Sequence, residues 1–158
     1  MPAGPCAGRF ALRARPGVPD TGFSNDKALL QIMKVYKFGG ASVRNADGVR
    51  NLRKIIDDEQ NLFIIVSAMG KTTNALERVF GAVQRHDPQA AGDEIASLRE
   101  YHAAIIDELW HGPKRLEAVE RLFGELERVA AGEGYDPRDA ELWYDTIVAF
   151  GELVSTTI

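Results

Sequence analysis

The sequence predicts an α/β fold, a layered and mostly parallel sheet with flanking helices, and three observations carry that expectation. Two short segments that read as strands, Lys34 to Phe38 and Leu62 to Val66, are each followed by a turn containing small residues and then by a helical pattern. The second run is continuously apolar, as a parallel strand covered on both faces would be. From Asp93 onward apolar residues recur at helical spacing, so the sheet-forming part leads into a helix-rich segment.

In chain order, a first strand over Lys34 to Phe38 precedes a helix from about Asn45 to Asp58, whose Val49, Leu52, Ile55 and Ile56 approximate one apolar stripe. The second strand leads through a loop to a helix near Thr73 to Arg85, with Thr73 or Asn74 suited to its start. Asp93 to Trp110 carries Ile95, Leu98, Tyr101, Ile105, Ile106 and Leu109 on one stripe. Leu116, Val119, Leu122, Phe123, Leu126 and Val129 form the next, with Gly112-Pro113 breaking the chain between them. Asp136 is placed to cap a final helix with Pro137 in its first turn, where a missing backbone donor is harmless. That helix runs on through Glu152 although Gly151 weakens it. No fixed-period repeat and no clean linker follow Met33, so residues 32–158 read as one incomplete α/β domain.

Residues 1–31 differ: Pro2, Pro5, Pro16 and Pro19 alternate with glycines, and Arg9, Arg13 and Arg15 precede the first acid at Asp20. A disordered leader or extension is expected there; the basic content leaves organelle targeting open, but no sustained amphipathic pattern supports it. No run is long and apolar enough to predict a membrane span. The 45% hydrophobic content of the 158 residues is enough for a sizeable core, which favours a globular chain. A net charge of -4 gives no general attraction for nucleic acid or an anionic membrane, so an anion site must be built locally. Cys6 is the only cysteine; it excludes an internal disulfide and a thiolate-rich metal site and fits a reducing cytoplasm. His86, His102 and His111 have no diagnostic ligand spacing and are expected at the surface or partly packed, with no metal site.

Chemistry concentrates in three segments. In Lys37-Phe38-Gly39-Gly40-Ala41-Ser42-Val43, small residues let backbone N–H groups approach phosphate oxygens and Lys37 adds a positive charge; a solvated lysine before a plain turn is the simpler alternative. Gly70-Lys71-Thr72 is not the end of a P-loop, because the glycine that motif needs five residues earlier is Ile65. Gly39-Gly40 likewise lacks the three-glycine spacing of a dinucleotide fingerprint. Ser67, Thr73 and Asn74 suit capping or turn formation as well as ligand contact. Glu152 and Ser155 lie three apart on one helix face, where a carboxylate can meet an ammonium group and a hydroxyl can support it; Asp145, seven positions earlier, reads as structural. No Ser-His-Asp or Cys-His order suggests a covalent enzyme.

Lys37 to Val43, Val66-Ser67-Ala68-Met69-Gly70-Lys71-Thr72-Thr73-Asn74 and Gly151-Glu152-Leu153-Val154-Ser155-Thr156, taken together, resemble the amino-terminal catalytic part of the aspartate kinases, within the amino acid kinase family. The resemblance runs from about Met33 to Ile158 and implies an amino acid kinase-like fold. It also implies transfer of the ATP γ-phosphoryl group to the side-chain carboxylate of L-aspartate, giving 4-phospho-L-aspartate and ADP, in amino-acid biosynthesis. On the same ground Lys37 is the phosphate cation, and Gly39, Gly40 and Ser42 form the nucleotide cradle. Ser67 lies close to the reacting groups, Thr73 contacts aspartate, Glu152 receives its amine, and Ser155 supports that contact. Lys71 is a weaker anion contact, while Met69, Gly70 and Thr72 shape the loop.

ATP with Mg2+ is the implied cofactor, a homo-oligomer the implied state of the complete protein, and the cytoplasm its implied location. Ala41 stands where the family usually has threonine, which removes one hydroxyl from the turn. Much of the family's adenine and ribose pocket and its regulatory ACT domains fall outside the matched segments, so little activity is expected of the chain alone. A kinase of another small amino acid or carbamate, and a noncatalytic amino-acid-binding or assembly fragment, remain alternatives.

Overall fold

A computed structural model describes residues 33–110 and 113–158. In chain order they form β1 (Lys34–Phe38), α1 (Ala46–Ile56), β2 (Leu62–Val66), α2 (Thr72–Gln84), α3 (Pro88–Leu109), α4 (Pro113–Ala130) and α5 (Ala140–Thr157), with a 3-10 turn at Pro137–Asp139. The leader expected over 1–31 lies outside the described residues, as do His111 and Gly112.

β1 and β2 pair in parallel, from Lys34 opposite Leu62 to Phe38 opposite Val66, and α1 supplies the crossover that a parallel pair requires. Side chains alternate across the strands, so Tyr36, Phe38, Ile64 and Val66 share one face and Val35, Lys37, Phe63 and Ile65 the other. The first face packs on a cluster of Phe38, Val43, Ala46, Met69 and Ile105, with Val49, Leu52 and Ile56 of α1 against it. The opposite face is open. Full coverage of β2 is therefore not found: Phe63, Ile64 and Ile65 keep 56%, 37% and 41% of their surface. Continuous apolarity reports what a strand offers for burial, and here the helices reach one face of a two-stranded sheet.

Helix boundaries follow local chemistry. Asn45 caps α1 by accepting from the Gly48 N–H at 2.9 Å, and Arg53 and Lys54 sit in the last turn, where cations suit the helix dipole. Ile55 departs from its expected stripe and is 47% exposed. Neither Thr73 nor Asn74 caps α2; Lys71 holds that position without a side-chain cap bond, and the Thr72 hydroxyl turns back to donate to the Met69 carbonyl at 2.7 Å. α3 begins at Pro88, earlier than the pattern of large apolar residues predicts, because Asp87 caps it through the Ala90 N–H and its first turns bury only the small Ala91. Asp136 caps the 3-10 turn, through Arg138 N–H at 2.9 Å, and not α5 itself, whose Asp139 makes no cap bond.

The main core lies among α2, α3, α4 and α5, with Leu76, Val79, Ile95, Phe123, Leu126 and Ile147 almost wholly removed from solvent. Arg99 of α3 lies 5.4 Å from the Phe123 ring centroid and pairs with Glu120 and Glu127, fastening α3 to α4. α3 serves both clusters, since Ile95, Leu98 and Ile106 enter the helical core while Ile105 enters the sheet-side one. His102 corrects the expectation of surface or partly packed histidines: it is fully buried. Among the described residues no helix is long and apolar enough to cross a membrane.

Leu126→Ala is expected to destabilise the fold by about 2–5 kcal/mol in urea unfolding, through lost burial and a residual cavity. The same change at Leu142, which is 68% exposed, is expected to stay within about 0.5 kcal/mol of wild type.

Candidate functional site

Phe38 and Val66 are paired at the last position of the two strands, so the segments that follow start side by side at the carboxyl edge of the sheet. Open α/β sheets place ligands at that edge. The turn after β1, Gly39 to Asn45, and the loop after β2, Ser67 to Lys71, are tied together by backbone bonds. Ser67 N–H donates to the Phe38 carbonyl at 3.0 Å and Gly70 N–H to the Gly40 carbonyl at 2.9 Å.

Glycine is required at two points of this contact. A Cβ at Gly40 would lie 2.3 Å from the Ala68 carbonyl oxygen, and one at Gly151 would lie 2.8 Å from the Ala68 Cβ. The first lets the turn meet the loop and the second lets α5 reach it. The next residue on α5, Glu152, then accepts a hydrogen bond from the Ala68 N–H at 3.3 Å, while the residue itself stays exposed. Three segments distant in sequence thus converge on Ala68, itself 5% exposed.

The expected site residues divide around this point. Lys37 is exposed on the open sheet face, next to the end of β1, and makes no ion pair with any described residue. The N–H groups of Gly39, Gly40 and Ala41, directly after β1, donate to no group among the described residues. Consecutive open N–H groups suit an anion. Gly39 differs from Gly40 in that a Cβ there would meet nothing within 4 Å. Ser42 is exposed, and its N–H closes the turn onto the Gly39 carbonyl at 2.8 Å.

Ser67 is half-buried at the start of the loop, Lys71 is exposed at its end, and Thr73 is half-buried in the first turn of α2. Ser155 shares α5 with Glu152 but faces inward; it is 8% exposed and its hydroxyl donates to the Glu152 carbonyl at 3.1 Å. Asp145 belongs elsewhere, lining a separate hollow of about 330 Å³ with Phe80, Gln84, Ala140, Glu141 and Tyr144.

Sequence reasoning gave no role to Arg44, Tyr101 or His102 in supporting the loops. Tyr101 donates to the Arg44 carbonyl at 2.5 Å, and its hydroxyl oxygen would lie 2.7 Å from a Cβ on Gly70, so it braces both loops from α3. Burial raises the Tyr101 phenol above its usual value, which keeps the hydroxyl a donor. Beside it a cavity of about 210 Å³ is lined by Lys71, Thr72, Ala75, Arg78, Glu94, Ser97, Leu98 and Tyr101. Arg78 grips both Glu94 oxygens across it, at 2.6 and 2.8 Å, and that bond lowers the Glu94 carboxyl below its usual range. Fifty-seven residues separate Arg44 from Tyr101, and no spacing rule links them. Among the described residues no cluster of three His, Cys, Asp or Glu side chains could hold a metal ion.

The family model described as the amino acid kinase family matches residues 33–158. The chain is 35% identical over 100 residues to an aspartokinase of Chlamydia trachomatis, covering 58% of this chain and 22% of that protein. It is 31% identical over 160 residues to the chloroplastic aspartokinase 3 of Arabidopsis thaliana, covering 96% of this chain and 27% of that protein. Among solved structures, E. coli aspartokinase III in complex with aspartate and ADP superposes with a TM-score of 0.67 at 27% identity, over 78% of this chain and 27% of that one. The chain therefore spans about a quarter of the length of these relatives.

Gly40→Ala is expected to push the loop off the turn, accelerating hydrogen exchange at the Gly70 amide and costing about 1–3 kcal/mol of stability. Gly39→Ala, in open space, should leave that amide's protection unchanged.

Proposed function

Since the chain belongs to the amino acid kinase family, we propose that it forms the amino-terminal catalytic part of an ATP-dependent aspartate kinase, producing 4-phospho-L-aspartate and ADP. The observation that carries this reading is the Glu152 contact: an exposed carboxylate is held at the loop after β2, beside the donor-lined turn that follows Lys37. Anion and cation subsites thereby meet at one edge of the sheet, as a zwitterionic acceptor and a phosphate donor require. Similarity to an E. coli enzyme whose complex holds aspartate and ADP supports the same substrates.

In this reading Glu152 receives the substrate ammonium group through a charge-assisted hydrogen bond. Thr73 and Ser67 meet the substrate from the loop side, and Ser155 supports Glu152 through its hydrogen bond to that residue's carbonyl. The N–H groups of Gly39 and Gly40, the exposed Ser42, and the Lys37 ammonium face the phosphates. A side-chain carboxylate oxygen of aspartate attacks the γ-phosphorus, the bond to the β–γ bridging oxygen breaks, and ADP leaves with that electron pair. No proton transfer and no protein nucleophile are needed, so the chain's contribution is alignment and charge stabilisation. Mg2+ would arrive on the nucleotide, screening its phosphate oxygens, because the described residues offer no ligand cluster of their own.

The proposal extends to a homo-oligomeric complete protein acting in the cytoplasm in amino-acid biosynthesis leading to lysine, threonine and methionine. Aspartate-dependent ADP formation is expected from a longer protein containing this chain and little from the 158 residues alone; strong turnover by the short chain would overturn the assignment of nucleotide-binding parts beyond it.

Two substitutions in the longer protein probe the assigned roles. Glu152→Gln keeps an oxygen for the Ala68 N–H but removes the charge, and should weaken productive aspartate binding by about 1.5–3 kcal/mol with ATP binding little affected. Unchanged aspartate dependence would remove Glu152 as the amine anchor. Lys37→Met retains an extended apolar stem and should lower turnover at saturating substrates by roughly 100-fold or more, with an unchanged circular dichroism spectrum. A folded variant with parental turnover would exclude Lys37 as the phosphate cation.

A further inference from the structure

His102 has the Leu98 carbonyl 2.7 Å from its Nδ1 and the Thr72 hydroxyl oxygen 3.4 Å from its Nε2. A carbonyl only accepts, so Nδ1 carries the proton and Nε2 presents a lone pair. Burial, opposed in part by the Leu98 hydrogen bond, lowers the pKa of the ring below its usual value and favours this neutral form. Thr72 has a single hydroxyl proton, and it is directed at the Met69 carbonyl at 2.7 Å. Two acceptors therefore flank one donor.

On the core side the surroundings provide no substitute for either acceptor, although Thr72 also borders the cavity of about 210 Å³. Thr72 is 3% exposed and His102 fully buried. The void beside them, about 10 Å³, is at the lower limit for one water, and its other walls are Leu76, Leu98, Leu122, Phe123, Leu126, Phe150 and Val154. A buried hydroxyl that leaves one acceptor needs another, and the Nε2 of His102 is the nearest side-chain acceptor on the core side. Gly70, next to Met69, has a φ of +56°, a conformation that glycine adopts readily.

We propose that His102 is a positioning residue for the loop after β2: its Nε2 is the alternative acceptor for the Thr72 hydroxyl, so that the loop exchanges between two hydrogen-bonded arrangements. In the first, the Met69 carbonyl accepts from both the Thr72 hydroxyl and the Thr72 N–H. In the second, the hydroxyl turns to His102 and the carbonyl is held by the N–H alone, releasing the Met69–Gly70 peptide to adjust. The functional consequence rests on the aspartate kinase reading, since Ser67 and Thr73 bracket this loop: the substrate would enter a loop able to move without stranding a buried hydroxyl.

The test is amide hydrogen exchange at Gly70 and Thr72 in the full chain, measured relative to Val79 of α2 and Ile147 of α5 and without aspartate or nucleotide. Failure here is thus separable from failure of the substrate reading, which aspartate kinetics of Glu152→Gln addresses. His102→Asn can still reach the Leu98 carbonyl but withdraws the acceptor from Thr72; the loop amides should then exchange about threefold to tenfold more slowly relative to the reference amides. His102→Gln restores an acceptor oxygen near the Nε2 position and should return the ratio toward wild type. In a Thr72→Val background, which lacks the hydroxyl, His102→Asn should leave the ratio unchanged. A loss of global stability speeds the buried reference amides and lowers the ratio by itself, so the slowing must also appear in the absolute exchange rates of the Gly70 and Thr72 amides. An unchanged or faster loop ratio in His102→Asn, equal behaviour of Asn and Gln, or persistence of the effect in Thr72→Val would overturn the proposal and leave His102 a packing residue.

Discussion

Close approach at Ala68 is the constraint on which the site depends. Its carbonyl faces Gly40, its methyl group faces Gly151, and its N–H donates to Glu152, so three sides of one small residue are used by segments from both ends of the described fold. A side chain on either glycine would meet the loop at 2.3 or 2.8 Å, distances that force displacement. Gly151 carries an intrinsic helix penalty of about 1 kcal/mol relative to alanine. That local cost is offset by the approach it permits, which brings an acidic side chain to the edge of the sheet. Local propensity and tertiary need conflict here, as they often do at functional positions.

The two hydrophobic clusters give this contact its rigidity. Leu76, Val79, Phe150 and Val154 anchor α2 and α5 in the helical core, while Phe38, Met69 and Ile105 anchor β1, the loop after β2 and α3 in the other. Ile158 packs against both clusters. The loop after β2 is thus held at Met69 in one core and at Thr72 beside the other, with Gly70 exposed between them. Tyr101 and His102, consecutive on α3, address opposite sides of that span.

Charge is distributed in keeping with these roles. Lys34 pairs with Glu59, Arg50 with Asp47 and Glu108, and Arg53 with Asp57, all among solvent-exposed or half-exposed groups where such pairs add little stability. Lys37, one strand position away from Tyr36, is left outside these pairings among the described residues. A chain of net charge -4 does not draw phosphate as a whole, so any anion would have to be met locally. On the other side of the loop, the bidentate Arg78–Glu94 pair satisfies its charges internally and belongs to the framework.

The sequence by itself determined the elements whose signals are local. Both strands fall at the predicted residues, and the stripes Ile95–Leu98–Ile105–Ile106 and Val119–Phe123–Leu126 are buried as their spacing requires. Lys37, the Gly39-Gly40 turn and Glu152 stood out only through the resemblance to the aspartate kinases, because taken singly they read as a solvated lysine, a plain turn and an exposed helix face. Tertiary structure decided which neighbours those residues have. It left the apolar β2 open on one face, made Thr72 rather than Thr73 the buried hydroxyl at the loop, turned Ser155 inward, and buried His102 against Thr72. Each of these depends on contacts across tens of residues: 30 separate Thr72 from His102 and 84 separate Ala68 from Glu152. Periodicity and capping act within a few residues along the chain, whereas burial and hydrogen-bond partnership are properties of the packed whole.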